Sequence, residues 1–337
     1  MTITISVLDR SRAALVPAMR AAVDRLDPAC RLAASYHLGW CDADGTPTPD
    51  GNGGKALRPS LALLSADAVG APPGTGMPGA VAVELIHNFS LIHDDLLDGD
   101  LERRHRRTVW AIWGAATAIL TGDALVALAH EVLLEADSPD RDRAGALLAA
   151  TTRELTRGQV QDLAFEKRGD VTLAECLDMA AGKTGSLLAA SAAIGAVLAG
   201  ADAATVDALT AFGQQFGLAF QLVDDVLGIW GDPAVTGKPV HSDLRSRKKS
   251  LPVTWALTRD GYGPRMREFL DCTDEPDPRS LVGVADLLDE AGARRWALDE
   301  AGRRMELAEQ ALSAVDLHPA ARADMVALAR YVVERDS

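Results

Sequence analysis

The sequence predicts an all-α fold, and three observations predict it. Alanine and leucine, both strong helix formers, are abundant, while aromatic residues make up only 4% of the 337 residues. Apolar residues recur at helical spacing along most of the chain. Alternating apolar and polar runs, the mark of a half-buried strand, are nearly absent. Hydrophobic residues at 48% are enough for a sizeable core, and 24% charged residues is ordinary for a globular chain.

Taken in order, an opening helix is expected over 9–38. The stretch WCDADGTPTPDGNGG, 40–54, is a loop, because Gly, Pro and Asp favour turns. A helix resumes in KALRPSLALLSADAV, with Pro59 near its start, where a missing backbone N–H does no harm. GAPPGTGMPG at 70–79 breaks the chain again. AVAVELIHNFSLIHDDLLDGD, 80–100, is a long helix. Further helices are expected over 116–136, 142–168, 172–200, 203–230, 250–259 and 280–334. Between them, 232–252 is rich in Gly, Pro and basic residues and reads as a mobile loop. No fixed-period repeat and no linker divides the chain, so 1–337 is expected to form one domain.

The net charge of −14 argues against non-specific nucleic-acid binding and against docking on anionic lipid. It leaves room for anionic small substrates at local basic clusters. Cys30, Cys41, Cys176 and Cys272 form no CxxC pair and have no histidine at zinc-ligand spacing, so they read as reduced thiols of a cytoplasmic protein. The N-terminus lacks the pattern of a secretory signal. Ala-rich stretches such as LLAASAAIGAVLAGA, 187–201, fall short of the roughly 20 apolar residues of a transmembrane span and are expected to be buried helices.

One stretch concentrates charge. HNFSLIHDDLLDGDLERRHRRTVW holds four aspartates in seven positions and then four arginines in five. Asp94 and Asp98 are four apart, so on a helix they share a face with Cβ atoms roughly 5–6 Å apart. Alone they repel by a few tenths of a kcal/mol, and a divalent cation would reverse that sign. Asp95 points off that face and is expected to sit behind the pair. A second aspartate pair, Asp224 and Asp225, follows the apolar segment FGLAFQLV, where a lone carboxylate is expensive. Facing each other across a bundle, the two pairs could clamp metal ions around a diphosphate. The basic residues suit that diphosphate. Lys55 and Arg58 lie at a helix start, where the macrodipole favours an anion. Arg103, Arg104, Arg106 and Arg107 carry planar forks that match phosphate oxygens. GKTG and TGKP add Lys183 and Lys238, although GKT here lacks the upstream glycine and strand of a P-loop. His87 lies seven residues before Asp94, on nearly the same face, and His93 is off it.

In order along 53–252, GGKALRP, ELIHNFSLIHDDLLDGDLERR, TGDAL, GQVQDL, GKTGSLL, FQLVDDVLG, GKP and DLRSRKKSLP resemble the trans-isoprenyl diphosphate synthases, or polyprenyl synthetases. The resemblance implies an all-α bundle around a central cavity, usually in a homodimer. It implies condensation of isopentenyl diphosphate with an allylic diphosphate, with about three magnesium ions. Carried across, Asp94, Asp98 and Asp224 would hold the metal, with Asp95 and Asp225 behind them. Arg103, Lys183 and Lys238 would bind the allylic diphosphate. Lys55, Arg58, His87 and Arg104 would bind that of isopentenyl diphosphate. Thr184 and Gln221 would line the reacting end, and Lys248 would sit on a closing loop.

The second motif departs from the family's DDxxD, because Gly228 stands where its last acid would be. That glycine implies weaker binding of the third magnesium with activity kept. DDVLGIWGDP is similar to a bacterial subgroup with this glycine, some members of which are packaged in protein shells; the chain lacks the long tail expected of such a cargo. Phe89, five positions before Asp94, and Ser90 occupy the family's chain-length position, where an aromatic ring acts as a floor. That pattern resembles synthases of short products, C20 first, with C15 and C10 as alternatives. Two other readings compete: a terpene cyclase on the same fold, which has no need of Lys55, Arg58, His87 and Arg104, and a non-catalytic partner subunit, which typically loses the aspartates.

Overall fold

Helices carry nearly all regular structure in the computed structural model, which describes residues 2–48, 56–232 and 240–334. The first helices are α1 (Thr2–Val23), α2 (Pro28–His37), α3 (Leu57–Ala68) and α4 (Met77–Leu97). A two-stranded hairpin, β1 (Glu102–Arg103) and β2 (Arg106–Arg107), precedes α5 (Val109–Trp113), α6 (Ala115–Leu134) and α7 (Arg141–Lys167). Then come α8 (Leu173–Ala180), a π turn (Ala181–Gly185), α9 (Ser186–Leu198) and α10 (Ala203–Trp230). The chain continues through α11 (Ser242–Arg245), α12 (Leu251–Ala256), α13 (Gly263–Asp271), α14 (Pro278–Glu290), α15 (Ala293–Ser313) and α16 (Pro319–Glu334).

The all-α expectation holds, and α10 has the expected bounds. Two long expected helices are broken. The opening one splits because Asp27 caps α2, its carboxylate accepting from the Ala29 and Cys30 N–H groups, with Pro28 at the first helical position. The C-terminal one splits twice. Gly292, at φ +83°, ends α14 in the left-handed conformation that glycine adopts without strain. Pro319 then starts α16.

Packing groups the chain into two compact units. The first comprises Met1–Thr152, Ala190–Thr210 and Ala314–Leu328. Its centre is α4, buried on almost every side by Ala80, Val81, Ala82, Val83, Leu85, Ile86 and Ile92. A stretch so largely apolar belongs in a core. The second comprises Arg153–Ala189, Ala211–Ser313 and Ala329–Ser337. Its core gathers Ile229, Leu244, Val253, Trp255, Met266, Leu281 and Leu288. Trp255 stacks on Trp296 there with centroids 5.5 Å apart.

Two helical stretches, Ala115–Leu134 and Leu173–Leu198, are long and apolar enough to cross a membrane by length and composition. That corrects the expectation that such runs fall short. The most apolar 18 residues of Leu173–Leu198 are 83% buried, so its apolar character is that of a core helix. On Ala115–Leu134, Ile119, Leu120 and Leu134 stay exposed. The four cysteines are free, three of them buried.

Candidate active site

In the first unit, the last turn of α4 carries the first aspartate motif. Asp98 is its C-terminal cap, donating its N–H to the Asp94 carbonyl at 2.8 Å. Asp94 and Asp98 therefore share one turn, as the four-residue spacing requires. A helix C-terminus is the wrong end for carboxylates, because the macrodipole there is negative. The arrangement becomes favourable with a cation. Asp95 points inward and is 1% exposed, and its Oδ1 accepts from Arg103 Nε at 2.6 Å. Its Oδ2 is buried without a hydrogen-bond partner. Burial pushes the Asp95 carboxyl up to about 6, and Arg103 only partly offsets it.

Arg103 and its neighbours stand on the hairpin. The turn residues Arg104 and His105 have φ of +51° and +61°. Such paired left-handed residues are usually Asn-Gly, so this turn is strained by roughly 1–3 kcal/mol per residue. The surroundings hold it. Arg106 donates to the Cys41 carbonyl at 2.7 Å and lies over the Tyr36 ring at 4.1 Å. Thr108 donates its hydroxyl to the Asp100 carbonyl at 2.8 Å.

Arg58, in the first turn of α3, donates to His87 Nε2 at 3.4 Å. Its Nε is buried without a partner. Burial lowers the Arg58 pKa to about 10, while Glu84 opposes that. Glu84 is itself buried, accepts from Asn88 at 3.2 Å, and is raised by burial. Burial, then Arg58 and Arg104, hold His87 well below the ordinary histidine range. Burial, then Arg104 and Arg103, push His37 down to about 3. Two neutral imidazoles among guanidiniums make a pocket suited to an anion. Sequence reasoning missed His37, which lies fifty residues before His87 and outside every motif.

His93 does not join this cluster. It donates to the Ile119 carbonyl at 3.2 Å and meets Phe89 edge-on at 4.9 Å. The ring fits because Gly122 of TGDAL has no side chain; a Cβ there would overlap the imidazole. Ser90 donates its hydroxyl to the His87 carbonyl at 2.8 Å.

In the second unit, Lys183 and Thr184 ride on the π turn. Such turns recur at functional sites because they offset side chains from the helical register. Glycines admit it on two sides. A Cβ at Gly158 of α7 would come within 2.8 Å of Lys183 Cα, and one at Gly217 of α10 within 2.6 Å of Gly185 Cα. Lys183 Nζ pairs with Asp162 at 2.6 Å. Asp162 belongs to GQVQDL, and the sequence alone gives that acid no role.

Thr184 Oγ1 donates to Gln221 Oε1 at 2.7 Å, and Gln221 Nε2 donates to Asp225 Oδ1 at 2.8 Å. Asp225, 3% exposed, also accepts from the Leu251 N–H at 2.9 Å. Lys248 Nζ lies 3.6 Å from Asp225 and 3.9 Å from Asp243. Burial pushes Asp225 up to about 6, with Lys248 opposing. Burial also disfavours the Lys248 ammonium, but Asp225, Asp243 and Asp224 outweigh it and hold its pKa above the ordinary lysine value. Asp224, the other member of the pair, is exposed. Lys55 and Lys238 lie outside the described residues.

Among the described residues no group of three or more His, Cys, Asp or Glu side chains is arranged to hold a metal ion by itself. Carboxylates grouped in twos still fit magnesium, which keeps water and takes substrate phosphate oxygens alongside one or two carboxylates.

The polyprenyl synthetase family model matches residues 50–281. The chain belongs to that family. The (2E,6E)-farnesyl diphosphate synthase of Mycobacterium tuberculosis is 51% identical over 340 residues, covering 99% of this chain and 94% of that one. The geranylgeranyl diphosphate synthase of the same organism is 40% identical over 333 residues, 98% and 94% of the two chains. A polyprenyl synthetase from Streptomyces coelicolor A3(2), solved as a crystal structure, superposes with a TM-score of 0.93 at 52% identity, over 97% of this chain and 99% of that one. As a member of this family of transferases, the polyprenyl synthetase chain is a short-chain trans-prenyltransferase.

Proposed function

We propose that the chain joins isopentenyl diphosphate to an allylic diphosphate and stops at a C15 or C20 product. The observation that carries the substrate reading is the buried guanidinium of Arg58, with an unpartnered Nε, beside a histidine held neutral. That pocket recognises a diphosphate, and Arg104, with Lys55, would complete it for isopentenyl diphosphate. Magnesium, about three ions, would be held by Asp94, Asp98 and Asp224, and when bound it neutralises the diphosphate that leaves. Arg103, Lys183 and Lys238 would grip the allylic diphosphate. Its C–O bond breaks and the electron pair leaves with the diphosphate. The double bond of isopentenyl diphosphate attacks the allylic cation, and a proton is then lost. Thr184 and Gln221 line the reacting end, and excluding water there protects the cation.

Phe89, braced by His93, forms the floor that limits chain growth. The sequence favoured C20; the 51% identity to a farnesyl diphosphate synthase supports C15 equally. The exposed Ile119, Leu120 and Leu134 on α6 support a homodimer that covers them. The free cysteines are in keeping with a cytoplasmic location.

The test is incubation with magnesium and isopentenyl diphosphate, with dimethylallyl, geranyl and farnesyl diphosphate as separate primers. Products are dephosphorylated and sized by mass spectrometry. A C15 or C20 alcohol that appears only with isopentenyl diphosphate is expected. A cyclic hydrocarbon formed without it would convert the reading to a cyclase.

A further inference from the structure

The sequence reads 232–252 as a mobile loop rich in basic residues. In its described part, two of those bases end on backbone carbonyls and tie the segment to two helix ends. Lys249 Nζ donates to the Phe165 carbonyl at 2.7 Å and to the Glu166 carbonyl at 3.4 Å. Both carbonyls belong to the last turn of α7, where they have no intrahelical partner and carry the negative end of the macrodipole. One side chain thus caps α7 from 84 residues further along the chain. On the other side, Arg247 donates its Nε to the Phe269 carbonyl near the end of α13 at 3.2 Å, and a second N–H to the Asp274 carbonyl just beyond it. Its guanidinium lies over the Phe269 ring, 5.6 Å from the centroid.

Lys248 stands between these two anchors and turns toward acids instead. Its ammonium lies 3.6 Å from Asp225 and 3.9 Å from Asp243, both longer than a hydrogen bond. Those contacts attract the charge without fixing its place, and a lysine stem has many rotamers. The backbone has to fix it. The Lys248 N–H donates to the Asp243 carbonyl at 2.8 Å. Arg247, just before it, is left-handed at φ +51°, a conformation costly for a residue with a side chain, so the surroundings impose it. The Lys249 carbonyl, just after it, accepts from the buried thiol of Cys176 at 3.2 Å. A thiol is a weak donor, which leaves the Nζ contact with α7 as the strong tie on that side. Burial lowers the Lys249 pKa, with Asp271 and Glu166 opposing, so this ammonium is not an ordinary solvated surface charge.

The geometry points to Lys249 as a positioning residue. By capping α7 it fixes the backbone from which Lys248 reaches Asp225, with Arg247 as the second anchor, and so presents the Lys248 ammonium beside the second aspartate pair. The inference rests on the prenyltransferase reading, in which Lys248 belongs to the segment over the reacting end, and deepens it. A side chain bonded only to helix-end carbonyls sets the rate through its neighbour.

The test measures kcat of the full chain with magnesium, isopentenyl diphosphate and geranyl diphosphate, per mole of folded protein. Lys249→Met, which keeps the stem and removes the ammonium, should lower kcat about tenfold, within the loss that a small misplacement of a reacting group brings. KM for isopentenyl diphosphate should stay within about twofold of wild type, since the Arg58 and His87 pocket belongs to the first unit. Lys249→Arg, which can still donate to both carbonyls, should stay within about threefold of wild-type kcat. The deciding variant adds Lys249→Met to Lys248→Met. A residue that acts through Lys248 has nothing left to position there, so the double variant should fall within about twofold of Lys248→Met alone, whereas independent residues multiply their losses. Multiplied losses overturn the proposal, since Lys249 would then act by stabilising its segment at large. So does wild-type turnover in either single methionine variant. If the wild type itself makes no longer diphosphate from these substrates, the prenyltransferase reading falls first and this inference with it.

Discussion

The two aspartate motifs solve one problem in two ways. Each sets an exposed or half-buried aspartate beside a fully buried one, and each buried aspartate is paired with a cation and pushed up to about 6 by burial. Each is followed by a basic segment containing two left-handed residues that are not glycine, Arg104 and His105 after the first, His241 and Arg247 after the second. The difference is locality. The aspartates of the first motif, the Arg103 that pairs with Asp95 and the hairpin that carries it fall within fourteen consecutive residues, 94–107. The second is assembled from Asp162, Lys183 with Thr184, Gln221 with Asp225, and Asp243 with Lys248. A local cluster forms with its own helix and hairpin. A dispersed one exists only once several helices have packed, and loop closure makes such contacts late and sensitive.

The largest expected effect is on turnover. Asp94→Ala and Asp224→Ala should each lower isopentenyl diphosphate incorporation by about 10³-fold, the scale of losing electrostatic stabilisation of a leaving group. A loss under tenfold at Asp224 alone would break the parallel between the motifs.

Stability separates them next. Asp225→Ala strips the Gln221 amide, the Leu251 N–H and Lys248 of one shared acceptor, and should cost about 3 kcal/mol in denaturant unfolding. Asp95→Ala frees only Arg103, whose side chain is 30% exposed, and should cost about half as much. Equal losses would mean that dispersion carries no penalty.

Product length should respond to the first region alone. Phe89→Ala is expected to lengthen the product by one or two isoprene units, read by mass spectrometry, while Thr184→Ala slows turnover without changing length. A spectrum unaltered by Phe89→Ala removes that ring as the floor.

The smallest effect is a pH dependence. Folded His37 sits at about 3 against an ordinary 6.5, so between those values the unfolded chain takes up a proton that the folded chain does not. Stability is therefore full above pH 6.5 and falls as pH drops through that window. His37→Gln should flatten part of the fall in thermal midpoint between pH 6.5 and 4. A slope identical to wild type would show that His37 is not held neutral.

The same contrast decides what could be read in the sequence. The bounds of α10 were legible because its apolar period runs unbroken until the Gly231-Asp232-Pro233 stop. The breaks at Asp27-Pro28 and Gly292 were present as capping signals, but continuous helical periodicity on either side masked them. Asp94, Asp98 and Phe89 were legible because helical spacing relates them, and Arg103 because it follows within a few residues in a motif that resembles the family's. The place of Asp243 against Gly228 was not, since nothing in the order of residues connects two positions fifteen apart. That relation is created by a left-handed histidine and two hydrogen bonds to carbonyls of α10.

The π turn at Ala181–Gly185 has a consequence for insertions and deletions. It accommodates one residue more than an α-helix would over the same rise. Removing Ala181 would let the chain close into regular α-helix over the same rise, so α9 would keep its register and the almost fully buried Leu187 and Leu188 would keep their neighbours. What would be lost is the bulge that carries Lys183 and Thr184. A one-codon deletion there would leave the apolar packing of α9 in place and disturb the pairing of Lys183 with Asp162 and of Thr184 with Gln221.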